Sequence, residues 1–353
     1  MTTLHEVALL RLVAQRIAGP RPATSGDAVR RLMAVQGQDF PGAVTSVALR
    51  TADPRRDDVL AALNSGEVVR SWPMRGTLHL LAAADLPWLL DLLGPRVLAG
   101  APARRSRLGI TDADLEKARL VAVGALVGGE RLRRAEILAA LADGGVDIAG
   151  QRGYHLLWYL SQTGTLCLGP VDDGEQRFVL LEEWIPAPRR LDPEEALAEL
   201  AGRFFRGHGP ATVQDLARWA GLRVSEARLG LAAARPELAR LDVEGTEYLL
   251  DPETRDLLDR GRAQARGLFL LPGFDEFVLG YGDRSAVLDP GFAEHIVPGG
   301  NGMFRPTVVH DGRIVGTWRW TGKGVKRSVI AAPFTPLDDD VMSAIPLLAA
   351  ALP

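Results

Sequence analysis

Apolar positions along this chain fall into blocks of helical spacing, and each group of blocks ends in a short alternating stretch with a turn inside it. Val7, Leu10, Val13, Ala14 and Ile17 share one helical face. Thr3-Leu4-His5-Glu6 opens that helix with a capping-box pattern, and Gly19-Pro20 stops it. Thr24-Ser25-Gly26-Asp27 starts a second helix with Val29, Leu32 and Met33 on its inner face. A third follows Pro41 and carries Ala43, Val44 and Val47, and a fourth covers roughly 55–64. Residues 68–72 and 77–80 then alternate around Pro73-Met74-Arg75-Gly76, which predicts a hairpin.

The same order recurs twice. Thr111-Asp112-Ala113-Asp114 caps a helix reaching Leu126. Helices over 135–141 and 151–161 follow, and 165–168 and 177–180 pair across Asp172-Asp173-Gly174. Thr212-Val213-Gln214-Asp215 caps a helix ending at Gly221, Ser225 opens another, and 239–243 pairs with 248–250 across Glu244-Gly245-Thr246. A helix–helix–helix–hairpin order is the signature of a winged helix, whose third helix enters a DNA groove. Beyond about 265, glycine and proline rise and short apolar runs replace helices (268–271, 307–309, 314–320, 327–330), with Asp311-Gly312 as a hairpin signal and a last helix at about 337–351. The expected fold is therefore α+β, mainly α: three tandem winged-helix modules over 1–105, 106–190 and 191–262, plus a C-terminal β-rich region over 263–353 packed on them.

Composition narrows the function. The 353 residues are 47% apolar and 24% charged, which excludes a disordered chain. No apolar run reaches about 18 residues without a charge, so no membrane partner is expected. The single cysteine, Cys167, rules out an intramolecular disulfide framework and fits a reducing cytoplasm. No Cys/His group has zinc spacing, and no cofactor is expected. The formal charge of −3 argues against a histone-like binder. Yet arginines cluster at Arg104-Arg105-Arg107, Arg131-Arg133-Arg134 and Arg189-Arg190, and phosphate neutralisation needs local rather than net charge. A solvated arginine-rich surface is the plain alternative for any one cluster.

The chemistry centres on Gln36-Gly37-Gln38-Asp39. Gln36 continues the inner stripe of Leu32 and Met33, where an amide must find partners or cost about 1–3 kcal/mol. On a continuing helix Gln36 and Gln38 diverge by roughly 200°. They aim at one point only if the helix ends near Gly37, where glycine permits a break. Two converging amides can together donate to and accept from one water. The plain alternative has Gln36 capping carbonyls and Gln38 in a loop. Asp39 ranks third, since a helix exit turns it elsewhere.

Four blocks occur in order: Gln36-Gly37-Gln38, Trp72-Pro73-Met74-Arg75-Gly76-Thr77-Leu78-His79, Leu271-Pro272-Gly273-Phe274-Asp275-Glu276 and Asp311-Gly312-Arg313-Ile314-Val315-Gly316-Thr317-Trp318. Together they resemble the AlkZ-like/YcaQ-like winged-helix DNA glycosylases over essentially the whole chain. The resemblance implies tandem winged helices around a C-shaped DNA channel. It implies removal of N7-alkylated purines and, in some members, unhooking of interstrand crosslinks made by azinomycin-type natural products. The catalytic roles fall on Gln36 and Gln38, in the Gln-x-Gln branch of the family.

Amides suit that reaction. N7 alkylation already makes guanine a cationic leaving group, so little general-acid help is needed, and placing a water beneath C1′ is worth several kcal/mol. Candidate DNA contacts are Arg75 and His79 on the first hairpin, the cluster Arg104, Arg105 and Arg107, and Gln151, Arg152, Tyr154 and His155 at the start of the third helix of the second module. The segment 295–305 is either a hairpin tip that enters a groove or a plain loop. Phe204-Phe205, Trp318 and Trp320 read as core. The expected partner is double-stranded DNA with alkylated purines, bound by a monomer. A non-catalytic winged-helix regulator, or a scaffold with no DNA role, is the rival; base release and salt-dependent DNA binding separate them.

Overall fold

The computed structural model describes residues 2–322 and 327–353. It is a mixed α/β fold whose chain contacts group into two units, 1–59 with 197–353, and 60–196. Among the described residues no helix is long and apolar enough to cross a membrane.

In the first unit the helix Leu4–Ala14 is buried from Val7 onward on every face. A helix apolar all round belongs inside a core. Here Leu12 and Val13 join a cluster with Tyr248, Leu257, Phe277, Val287, Val309 and Ile314. Arg11 is buried with them; its guanidinium lies over the Tyr281 ring at 3.5 Å, and its Nε donates to the Pro210 carbonyl. The C-terminal strands form an antiparallel sheet in the order Ser328–Pro333, Arg313–Thr321, Thr307–His310, Leu268–Leu271. The last helix, Asp339–Ala350, adds Ile345 and Ala349 to a smaller core around Trp318.

In the second unit the hairpins Val68–Met74/Thr77–Ala82 and Leu166–Asp172/Glu175–Leu180 lie in one sheet, joined where Arg70 faces Leu168. The helices Asp112–Leu126, Arg134–Asp143 and Arg152–Gln162 pack on it through Leu126, Ile137, Leu156 and Leu160.

Four hairpins share one turn chemistry. Arg75-Gly76, Asp173-Gly174, Glu244-Gly245 and Asp311-Gly312 each place both central residues at positive φ, between 47° and 78°. That is the requirement of a two-residue type I′ turn, and glycine meets it without a Cβ penalty. The capping motifs also form: Thr212 and Asp215 make a reciprocal box, and Gly221 ends that helix in the left-handed region.

Two expectations change. The second helix, Ser25–Leu32, stops before Gln36, and Ala34–Gln36 is a strand. Met33 makes the break, at φ 67° and ψ −52°. A bulky residue there is strained, and such strain persists only where the surroundings hold it; Met33 is fully buried. Further helices join the predicted ones, the long ones being Leu86–Ala99, Pro193–His208 and Glu253–Ala265. The segment 295–305 takes the loop alternative: it leaves the short helix Ala293–Ile296, makes a 3₁₀ turn at Pro298–Gly300 and continues as irregular chain.

Candidate active site

The strand Ala34–Gln36 is buried throughout, and its anchor is a carboxylate 240 residues away. The Gln36 backbone N–H donates to Glu276 Oε1 at 2.9 Å. Trp219 Nε1 donates to the other oxygen, Oε2, at 2.9 Å, and His208 Nε2 lies 3.3 Å from it. Burial by itself would raise the Glu276 pKa. The contacts with His208, Trp219 and the Gln36 amide outweigh it and hold the carboxyl well below the usual carboxylate range. The group is thus an ionised acceptor at neutral pH.

Its neighbour Asp275 supports the same segment. It begins the short helix Glu276–Leu279 by accepting from the Phe277 N–H. Arg50 grips it with both forks, Nη2 to Oδ1 at 2.8 Å and Nη1 to Oδ2 at 2.9 Å, and Ser46 Oγ donates to Oδ2 at 2.7 Å. Arg50 also donates to the backbone and side-chain oxygens of Gln15. Gln15 Nε2 in turn reaches the Glu276 carbonyl and the Tyr281 hydroxyl. All of these groups are buried. A bidentate, fully partnered ion pair of this kind holds geometry more than it adds stability.

The side chains of the motif face outward from this base in different degrees. Gln36 is buried, and its Oε1 has no hydrogen-bond partner among the described residues. Gly37 is buried, whereas Gln38 and Asp39 are exposed. Asp39 occupies the N-cap position of the helix Phe40–Ala48 without a side-chain capping bond. Its carboxylate lies over Gly42: a Cβ there would meet Asp39 Oδ2 at 2.4 Å and turn the exposed Asp39 side chain aside. Beside Asp39 opens a cavity of about 640 Å³ lined in part by Thr45, Arg56, Trp318, Trp320 and Arg327. Burial, then the charge of Arg327, lowers the Arg56 pKa; Arg327 itself stacks on Trp320 at 3.8 Å. Two cations converge beside the motif.

Among the other candidates, Arg75, Arg104, Tyr154 and His155 come together around one pocket of the second unit. Gln151 orients Arg104 through a 2.7 Å hydrogen bond. Arg105 pairs with Asp112, and Arg107 is exposed. Arg152 is turned inward to the Leu108 and Gly109 carbonyls and to Asp147. His79 is fully buried, its Nδ1 2.9 Å from the Thr77 carbonyl oxygen. Its strand is buried on both faces, so alternation does not place it on a polar side, and it cannot line a surface channel. Sequence reasoning missed Glu276, Asp275, Arg50, Arg56 and Arg327. The one signal was the Asp275-Glu276 pair inside an otherwise apolar and glycine-rich block.

The family described as "DNA glycosylase AlkZ-like" matches residues 29–352. The chain is 28% identical over 322 residues to an "Interstrand DNA cross-link repair glycosylase" of Streptomyces sahachiroi, covering 88% of this chain and 85% of that one. The solved structure of Streptomyces sahachiroi DNA glycosylase AlkZ superposes with a TM-score of 0.81 at 27% identity, over 99% of this chain and 96% of that one. With the match extending over nearly its full length, the chain belongs to the AlkZ-like DNA glycosylase family.

Proposed function

We propose that this DNA glycosylase hydrolyses the N-glycosidic bond of N7-alkylated purines, with Gln36 and Gln38 positioning the attacking water. The observation that carries this reading is the buried strand of Gln36: its backbone is tied to an ionised carboxylate, while its amide oxygen is left without a partner. Holding a water requires a rigid support and an unpaired acceptor; the tied backbone supports the first, and the buried Oε1, unpaired among the described residues, the second. Gln38, exposed two residues on, adds a second amide that can donate and accept. The purine leaves as a neutral base because its alkylated N7 already carries the positive charge. Water forms the new bond to C1′ and its proton passes to solvent. No side chain of the motif needs to change protonation state.

The same reading takes the hairpins near 68–82, 166–180 and 239–250 as the wings of three winged-helix modules over 1–105, 106–190 and 191–262, with 263–353 as the β-rich remainder. It has a cytoplasmic monomer binding duplex DNA through Arg75, Arg104, Arg107, Gln151 and Tyr154, and unhooking interstrand crosslinks as a further substrate class. The test is incubation with a duplex carrying one N7-methylguanine, followed by alkaline cleavage at the abasic site. Release by the wild type and loss in Gln38→Ala supports the reading; a wild type that releases no base overturns it.

A further inference from the structure

The second unit carries a pocket of about 340 Å³ whose walls come from separate segments. Arg75 and Gly76 stand at the tip of the first hairpin. Val97, Gly100, Ala101 and Arg104 follow along the next helices, and Tyr154, His155 and Trp158 lie on the helix Arg152–Gln162. We propose that this pocket receives one unstacked nucleotide of DNA, its base against the aromatic rings and its phosphate on Arg75 and Arg104. The inference deepens the DNA-glycosylase reading by naming a nucleotide site whose lining does not include Gln36 or Gln38.

The lining is built for a flat, anionic guest. His155 and Trp158 stack with centroids 5.1 Å apart and 29° between their planes, which fixes the half-buried Trp158 ring at the pocket wall. Tyr154 is 44% exposed and meets Trp72 in a T-shaped contact, centroids 6.5 Å apart and planes at 79°, so part of an aromatic ring is offered to solvent at the pocket. Bases stack on such faces whatever their sequence. Two exposed arginines stand at the pocket, and guanidinium forks match phosphate oxygens. No carboxylate is among the lining residues. Arg104 is already oriented by Gln151.

His155 is the second, independent observation. It is only 2% exposed, and its Nε2 has no hydrogen-bond partner among the described residues. Leaving a buried polar atom unpaired is costly, and sites built to bind are where such atoms persist. Burial, then the charges of Arg104 and Arg105, lowers its pKa, so the ring is neutral and able to accept or donate one hydrogen bond to a base edge. A groove contact would need a convex helix face; a concave aromatic pocket of small-ligand size suits a nucleotide taken out of the stack.

The experiment compares duplexes with a single bulged 2-aminopurine against the fully paired duplex, by titration and by 2-aminopurine fluorescence. The wild type should bind the bulged duplex about ten-fold more tightly and quench its fluorescence by stacking. Tyr154→Ala should lower affinity for the bulged duplex about ten-fold more than for the paired one, and Tyr154→Phe should restore it. Arg104→Ala should weaken bulged binding without restoring fluorescence in the bound fraction. Equal wild-type affinity for the two duplexes, or unchanged preference and quenching in Tyr154→Ala, overturns the proposal. So does displacement of the bulged duplex by deoxyguanosine monophosphate below millimolar concentration, which would make this a site for free nucleotides. Base release from N7-methylguanine is scored separately. Its presence without bulge preference sinks the pocket alone, and its absence with bulge preference sinks only the lesion assignment.

Discussion

At the scale of single residues, the proposed site sets a buried amide oxygen, without a partner among the described residues, on a strand tied to a carboxylate held charged. Gln38→Ala should lower the single-turnover rate on N7-methylguanine by roughly 10- to 1000-fold, about 1.4–4 kcal/mol of transition-state stabilisation, with little change in duplex affinity. Asp39→Asn should have a mild effect, because that carboxylate is folded over Gly42 at a helix start. If Asp39→Asn abolishes the reaction and Gln38→Ala does not, a carboxylate activates the water instead. Neither amide ionises, so the rate should be nearly flat from about pH 6 to 8, as single-turnover measurements across that range would show. The stability contribution of Glu276 behaves differently. Its folded pKa is depressed from 4.5 to about 2, so its contribution is fully present above the ordinary carboxylate range and is lost as pH falls toward 2. Urea titrations at pH 7 and pH 3 should show a steeper acid loss for the wild type than for Glu276→Gln. The role of Gln36 as a candidate was legible because a polar residue broke an apolar stripe. Glu276 was not, because its partners are brought from 36, 208 and 219 by the fold.

At the scale of elements, helices and hairpins with local signals formed where local chemistry put them. Capping boxes and Xaa-Gly turns involve residues within four of each other, so the sequence carries the whole interaction. The strand Ala34–Gln36 has three residues, too few for an alternating pattern, and the Met33 break that creates it has no local marker. The inward helix stripe seen before Gln36 was real as far as Leu32 and ended there. The hairpins also allow a graded test. Gly312 has φ 77°, and a Cβ on it would meet Leu9 at 3.0 Å, whereas Gly245 has φ 78° and open space. Gly245→Ala should cost about 1–2 kcal/mol for its left-handed backbone alone. Gly312→Ala should cost more, since the tightly packed Leu9 must also move; equal shifts in the urea midpoint would show that the contact yields freely.

At the scale of the whole molecule, net charge is a poor guide to what the surface does. A chain of formal charge −3 still presents local cationic clusters, and local charge is what phosphate neutralisation needs. Because Arg105 is paired with Asp112, replacing Arg104 and Arg107 together should reduce the log–log salt slope of duplex binding by about 1.8, or about 0.9 per lost phosphate contact. An unchanged slope would remove this cluster from the footprint.

Sequence by itself determined the capped helices and the four glycine turns, because each rests on interactions between near neighbours. It also carried the family resemblance, because the four ordered blocks are contiguous stretches. Tertiary structure decided what those blocks do together. Only folding brings Asp275-Glu276 against Arg50 and the Gln36 strand, buries His79, and gathers Arg75, Arg104, Tyr154 and His155 around one pocket. These contacts join residues tens to hundreds of positions apart. No spacing rule reaches that far, and the contacts that hold Glu276 charged against its burial, like the burial that leaves the His155 Nε2 without a hydrogen-bond partner among the described residues, exist only once the core has closed.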